Sequence, residues 1–205
     1  MTLDDAAIER LVAEARGGDA WAFGRLFDHY HLPIYRYIAS RIHRPPDAED
    51  LTQLVFIKAL EALPRYESRG VPFRGWLFRL ARNAVIDHVR TRHEHADLGA
   101  AISAAGRDPG PEDVTVARQE MEEVAAALAA LTEEQREAIS LRFFAGLSAR
   151  EVAAVMDKQE GTVRGLQFRG IAALRRQLGM VDLDATDDAD APSSDETPRR
   201  RWRTR

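Results

Sequence analysis

An all-α fold, made of two small helical domains joined by a flexible linker with a helix-turn-helix in the second, is what this sequence predicts. Three observations carry the prediction. Apolar residues recur at spacings of three and four, with Ala, Leu, Arg and Glu filling the repeats, and strand-like alternation is nearly absent. The stretch "ADLGAAISAAGRDPGPED", residues 96–113, breaks that pattern and holds little large apolar content. Two capping boxes, "TEEQ" at 132–135 and "SARE" at 148–151, then mark helix starts in the second half. In each, the Ser or Thr and the residue three places on reciprocally satisfy free backbone donors.

Thr2 to Ala15 predicts a first helix, with Asp4 and Asp5 in its opening turn. Gly17 and Gly18 break the chain, and Asp19 is placed to cap a second helix. Pro33 is expected to kink or restart that helix before Ile34 to Ile42, because its ring removes a backbone donor. "RPPD" at 44–47 is a stop, after which Asp47 is expected to cap a third helix reaching about Leu63. "PRYESRGVP" at 64–72 reads as a loop.

The helix over 73–92 has two faces. Phe73, Leu77, Leu80 and Ala84 recur at helical spacing and need a core. Arg79, Asn83, Ile86 and Arg90 recur on another face, with Trp76 near its start. In the second half, Ser148 to Met156 predicts a short helix, "DKQEG" a turn, and Thr162 to Leu178 a second helix. Ala153 is small enough to let the two cross closely. Val163, Leu166, Gly170 and Leu174 form the inward side of the second helix; Arg164, Phe168, Ala172 and Arg175 lie opposite, with Arg169 and Arg176 beside them. After Gly179, seven acids and then five arginines around Trp202 leave too little apolar area to offset chain entropy, so a disordered tail is expected. The organisation is therefore a first helical domain at 1–95, a linker at 96–119, a helix-turn-helix domain at 120–179 and a tail at 180–205.

Composition removes several functions. With no cysteine, disulfides and thiolate metal sites are excluded. No apolar run approaches a membrane span, and residues 1–20 alternate acids with aliphatics, unlike a secretory signal or transit peptide. A soluble, cytoplasmic protein without membrane insertion follows. His88, His93 and His95 invite a metal reading, but Arg90 and Arg92 among them oppose a cation, and no metal or cofactor is expected. No Gly-rich phosphate loop, nucleophile elbow or carboxylate pair appears, so no catalytic residue is assigned.

The formal net charge is −4, from 29 Lys and Arg against 33 Asp and Glu, yet its distribution is uneven. Residues 65–92 carry seven Arg against Glu67 and Asp87, and residues 164–176 carry four Arg and no acid. Local fields of this kind attract polyanions although the total is negative. A basic outer face on the second helix of a helix-turn-helix suits the major groove, where arginine forks onto guanine edges or pairs with phosphates. An antiparallel helix pair with solvated arginines fits the same spacing. Arginines among Tyr66, Phe73 and Trp76 suit single strands, whose bases stack on rings while cations hold phosphates. In the third helix, Leu54 projects from a polar arc of Asp47, Asp50, Lys58 and Glu61, either as the centre of a protein interface with a polar rim or as a lone surface leucine.

"DAEDLTQLVFIKAL" (47–60), "FRGWLFRLARNAVIDHVR" (73–90) and "LSAREVAAVMDKQEGTVRGLQFRGIAALRR" (147–176) together resemble bacterial RNA polymerase sigma factors. The small two-domain extracytoplasmic-function group is the nearest in kind. The resemblance covers about residues 20–95 and 120–178 and implies a sigma factor that binds core polymerase and directs promoter-specific initiation. It implies that Asp47, Asp50, Gln53, Leu54 and Ile57 dock on the β′ clamp helices of core polymerase, with a further contact to the β flap. It implies that Tyr66, Arg69, Arg74, Trp76, Arg79, Arg82, Asn83, Ile86 and Arg90 read and melt the −10 element and hold the non-template strand. Arg150, Gln159, Thr162, Arg164, Gly165, Phe168 and Arg169, within the helix-turn-helix at 148–168, would read duplex DNA at the −35 element. An anti-sigma factor is an implied partner.

The sequence departs from the family pattern at Leu54, where members commonly carry an acid, and at Gly165, Leu166, Gln167 and Gly170, where Ser, Arg, Leu and Ala are commoner. The two glycines weaken the helix by about 1 kcal/mol each relative to Ala. The usual Ser cap before "EGTV" is replaced by Gln159. The competing function is a one-component helix-turn-helix regulator that binds operators without polymerase.

Overall fold

The computed structural model describes residues 3–42, 44–68, 71–99 and 126–178, and for 93–99 the backbone alone. Among these residues every regular element is helical. The predicted linker, apart from its first residues, and the predicted tail lie outside them, as does the histidine pair His93 and His95 at the level of side chains.

α1 spans Asp5–Arg16, and the Asp4 side chain caps it by accepting from Ala7 N at 2.7 Å. Gly18, at φ 96°, turns the chain into Asp19. The Asp19 carboxylate accepts from Trp21 N at 2.8 Å and Ala22 N at 3.2 Å, so it caps α2 as predicted. α2 runs from Ala20 to Ala39 without restarting at Pro33. That corrects the expected restart. Pro33 leaves one carbonyl without its usual donor, but Tyr30, Ile34, Tyr37 and Ile38 on either side of it are buried, and their burial outweighs one missing bond.

α3 spans Pro45–Ala62 and begins two residues before the expected cap. Arg44 holds the cap position without a side-chain hydrogen bond, and Pro45 is tolerated because the first helical N–H has no intrahelical partner. Asp47 lies inside the first turn, where the helix dipole favours an anion. Arg44, Arg92 and His88 approach its carboxylate at 3.4, 3.7 and 3.8 Å. A 3-10 turn, Leu63–Arg65, ends α3. α4 spans Phe73–Gly99 and continues past position 96, where the linker was expected to begin. At its start, a Cβ on Gly75 would come within 2.7 Å of Val71 Cγ1, so only glycine lets the incoming loop fold back this closely.

In the second half, Thr132 caps α5 (Glu133–Ile139) through a complete capping box. A π-helical turn follows at Ser140–Phe144, closed by Ala145 N to Ser140 O at 3.2 Å, which sequence periodicity did not foresee. Ser148 caps α6 (Ala149–Met156) through the second capping box. Asp157, at φ 55°, ends α6 in the left-handed region and leads into α7, Glu160–Gln177. Val163, Leu166 and Gly170 of α7 are buried, and Gln159 makes no side-chain cap bond.

The two helical regions pack on each other. α4 packs on α6, and α2 packs on the π-helical turn. One buried cluster joins Leu26, Ile34, Phe78 and Val85 of the first half to Leu141, Leu147, Val152 and Met156 of the second. A smaller cluster of Leu128, Leu131 and Ile139 packs with Phe144, Ile171 and Leu174 beside it. An amphipathic face has the same periodicity whether it serves its own domain or a neighbour, so this docking leaves no signature in the sequence.

Candidate nucleic-acid and polymerase interface

The predicted −10 surface begins in an aromatic cluster. Tyr66 and Phe73 meet edge to face at 5.7 Å between centroids, and Trp76 lies 4.8 Å from Tyr66 and 5.4 Å from Phe73. Tyr66 is only 7% exposed, and its hydroxyl donates to Val71 O at 3.2 Å. This corrects its placement as a surface ring: it is buried against Phe73 and Trp76 at the start of α4, and Trp76 is itself half-buried. A cavity of about 620 Å³ opens here, with Val12, His29, Tyr30, Phe73 and Arg74 among its walls. Burial, and then the charge of Arg74, pulls the His29 imidazole below its ordinary value. Arg69 lies outside the described residues.

Three stripe arginines point at the second half of the chain. Arg74 Nη2 donates to Ala145 O and Gly146 O, both at 2.9 Å, and its Nη1 lies 3.6 Å from Glu151 Oε1. Arg79 Nε donates to Ala154 O at 3.0 Å, and its Nη2 reaches the same oxygen. Ala154 stands in the last turn of α6, where carbonyls lack an intrahelical donor, so Arg79 satisfies a group the helix leaves open. Arg82 Nε lies 3.7 Å from Glu137 Oε1. Further along, Asn83 and Ile86 face outward, and Arg90 lies 3.5 Å from Asp87. The predicted stripe is therefore divided between a covered part and an open part.

Glu137 is the centre of the covered part. It is 3% exposed, on α5. Tyr37 Oη donates to its Oε1 at 2.7 Å, and Arg41 Nη1 lies 3.1 Å from its Oε2. Arg41, itself buried, also pairs with Glu133. Burial pushes the Glu137 carboxyl above its usual range, and Arg41, the Tyr37 hydroxyl and Arg82 offset that only in part. Burial lowers the Arg41 guanidinium, but Glu137, Tyr37 and Glu133 more than reverse it. A carboxylate buried among cations this way is destabilising when one partner is removed, because a charge is then left without compensation. Tyr37, Arg41, Glu133 and Glu137 were absent from the sequence-based site. The available signal was a glutamate four residues before Leu141 on the inward side of α5.

The residues that the sequence assigns to −35 reading lie on α6 and α7 and at the turn between them. Arg150, Gln159, Thr162, Arg164 and Arg169 are exposed, and Gly165 is half-buried. Phe168 is 76% exposed. Arg164 Nη2 pairs with Glu160 Oε1 at 2.6 Å, one turn earlier. Beyond the smaller cluster, an apolar groove of about 350 Å³ is lined by Leu128, Ile139, Phe143, Phe144, Ile171 and Leu174.

On α3, Asp50 and Gln53 are exposed and Asp47 is half-buried. Leu54, Ile57 and Leu60 are 38%, 54% and 53% exposed. At spacings of three they form a short apolar row on one side of the helix. Leu54 thus has apolar neighbours in that row, one of which, Leu60, the sequence reading missed.

Residues 26–94 match the family described as Sigma-70 region 2, and residues 127–176 match Sigma-70, region 4. The ECF RNA polymerase sigma factor BldN of Streptomyces coelicolor is 37% identical over 177 residues, covering 85% of this chain and 67% of that protein. ShbA of Streptomyces griseus, also an ECF RNA polymerase sigma factor, is 35% identical over 182 residues, covering 84% of this chain and 95% of that protein. Among solved structures, CnrH in complex with the cytosolic domain of CnrY superposes with a TM-score of 0.68 at 29% identity, covering 84% of this chain and 97% of CnrH. RNA polymerase sigma factor CnrH is from Cupriavidus metallidurans.

Proposed function

The chain belongs to the sigma-70 family of RNA polymerase sigma factors, in the extracytoplasmic-function group, and on that premise we propose a division of labour among its surfaces. As a sigma factor it binds core RNA polymerase and directs promoter-specific transcription initiation. Its protein partner is core polymerase and its nucleic-acid partner is promoter DNA. Region 2 and region 4 follow one another in one chain, and that order is the observation that carries the function. A one-component regulator would need no region 2.

In our reading, 1–95 is the region 2 domain and 120–179 the region 4 domain, with 96–119 linking them and 180–205 as a tail. Asp47, Asp50, Gln53, Leu54 and Ile57, extended by Leu60, dock on the β′ clamp helices. The exposed apolar row with its polar rim supports this. The apolar groove of region 4 receives the β flap, supported by its wholly apolar walls. Arg150, Gln159, Thr162, Arg164, Gly165, Phe168 and Arg169 read the −35 duplex, supported by their place on α6, α7 and the turn between them. Arg69, Arg74, Trp76, Arg79, Arg82, Asn83, Ile86 and Arg90 hold the −10 element and the unpaired non-template strand. Tyr66 supports Trp76 from beneath. The protein makes and breaks no bond in this scheme; it lowers the barrier to strand opening by binding what opening exposes.

A further protein partner of the anti-sigma kind fits the fold, since CnrH has been solved with a bound protein chain. No helix among the described residues is long and apolar enough to cross a membrane. We place the protein in the cytoplasm with the polymerase. Run-off transcription with purified core polymerase on genomic fragments, followed by start-site mapping, tests the function. Discrete starts that require this chain are expected. Absence of promoter-specific initiation with any bacterial core enzyme would overturn the reading.

A further inference from the structure

We propose that the acidic segment at 182–196 lies along the basic face of α7 and competes there with DNA phosphates, so that base contacts at a true −35 site decide binding. The consequence for DNA rests on the reading of α7 as the −35 helix; the docking itself does not. α7 exposes Arg164, Arg169, Arg175 and Arg176. At about 100° per residue these four fall within an arc of about 140°, away from the buried Val163, Leu166 and Gly170. The one acid on α7 is Glu160, which pairs with Arg164 a turn away.

The chain that follows supplies the opposite charge. Residues 182–196 hold seven acids and no Lys or Arg, and the five acids from Asp182 to Asp190 come within twelve residues of Leu178, the C-cap of α7. Ten residues of chain span on average about 16–19 Å, and Arg176 to Arg164 along the helix is about 18 Å, so the tether matches the face. A matched tether gives a local concentration in the millimolar range, at which weak ion pairs form. The arginines at 199–205 are a rival partner for these acids. Residues 191–198 stand between them and the nearer five, and an ordered helix presents its guanidinium groups at a lower entropy cost. Carboxylate and phosphate oxygens are alternative acceptors for one guanidinium. Non-specific duplex binding consists of phosphate contacts and meets this competitor in full, whereas a specific site adds base contacts that acids do not imitate. The segment therefore raises the selectivity of the −35 helix.

The chain has no cysteine, so Ala189→Cys carries a single nitroxide label. In the full chain without DNA, we expect the label to broaden the nuclear magnetic resonance signals of α7 amides between Arg164 and Arg176. The broadening should vanish at about 1 M salt, where screening acts beyond about 3 Å. Asp184→Asn, Asp187→Asn, Asp188→Asn and Asp190→Asn together should abolish it as well. Without the label, the same four substitutions should tighten binding to a mixed-sequence duplex roughly tenfold, and to a duplex bearing the mapped −35 site by no more than about threefold. Glu9→Gln, Glu14→Gln, Asp28→Asn and Glu49→Gln change the net charge equally at exposed positions of the first half. That control should tighten mixed-sequence binding by less than about twofold, because its charges lie beyond the screening length from α7. Absent broadening, equal gains in the two variants, or equal gains on the two duplexes would each overturn the proposal. So would broadening that appears only once the arginines at 199–205 are changed to Gln, which would mark them as the partner of the acids. Run-off transcription is read separately. Its absence would overturn the functional reading while leaving the broadening, measured without DNA, intact, so the two failures are distinct.

Discussion

Tyr30 and Tyr37 stand two turns apart on α2, and each hides its phenol from water. Burial pushes the Tyr30 phenol up from 10.0 to about 12, against the pull of Arg74. Burial, with Glu137 next in weight, pushes Tyr37 well above 10.0. A raised value means that each neutral phenol stabilises the fold fully below pH 10, and that this is lost as pH climbs through the folded-state value. Alkaline unfolding is therefore expected between pH 10 and about 12, with a contribution from Tyr30 of about 2–3 kcal/mol. Tyr30→Phe should move the midpoint of the helical circular-dichroism signal upward while removing one phenolate from the absorbance titration. An unmoved midpoint would refute this. At this scale, local devices were legible in the sequence. Asp19 and both capping boxes act within three residues, so spacing alone specifies them. Glu137 was not legible, since its phenolic donor lies 100 residues away.

The helices followed their apolar periods, and the misplaced details have local causes. Asp47 looked like a cap because an acid before an apolar run usually is one, but two prolines ahead of it already begin the helix. The π-helical turn adds a residue per turn over Ser140–Phe144, and a period fitted at 3.6 has no signature for it. α3 carries the prediction at this scale. Its outer row of Leu54, Ile57 and Leu60 contributes little to the core, so Leu54→Asp should leave thermal stability nearly unchanged. Affinity for core polymerase should fall by about tenfold or more, as for an interface centre, measurable by fluorescence anisotropy. Unchanged affinity would remove Leu54 from the interface.

At the scale of the molecule, the family and its two regions were legible, while the docking of one half on the other was not. Composition and periodicity describe each half alone; a seam made of Arg74, Arg79, Arg82 and Glu137 requires knowing which surfaces meet. Arg79→Ala with Arg90→Ala samples one covered and one outward member of the stripe. Open-complex formation should drop more than binding to polymerase. The salt dependence of strand binding should flatten by about 1–1.5 in log–log slope, as expected for two lost phosphate contacts on a single strand. Permanganate footprinting beside a polymerase-binding assay would check the first, and a salt titration the second. An equal drop in both activities would make the stripe structural.

Arg74 and Arg79 grip their opposite half chiefly by peptide oxygens, at Ala145, Gly146 and Ala154. Every amino acid supplies the same oxygen, so drift at those three addresses erases no acceptor so long as the backbone keeps its path. The mating of the halves is thus insulated from most heritable change on one side and exposed to it on the other. Hybrids assembled from diverged relatives should fit together whenever the donor side retains its two guanidinium groups.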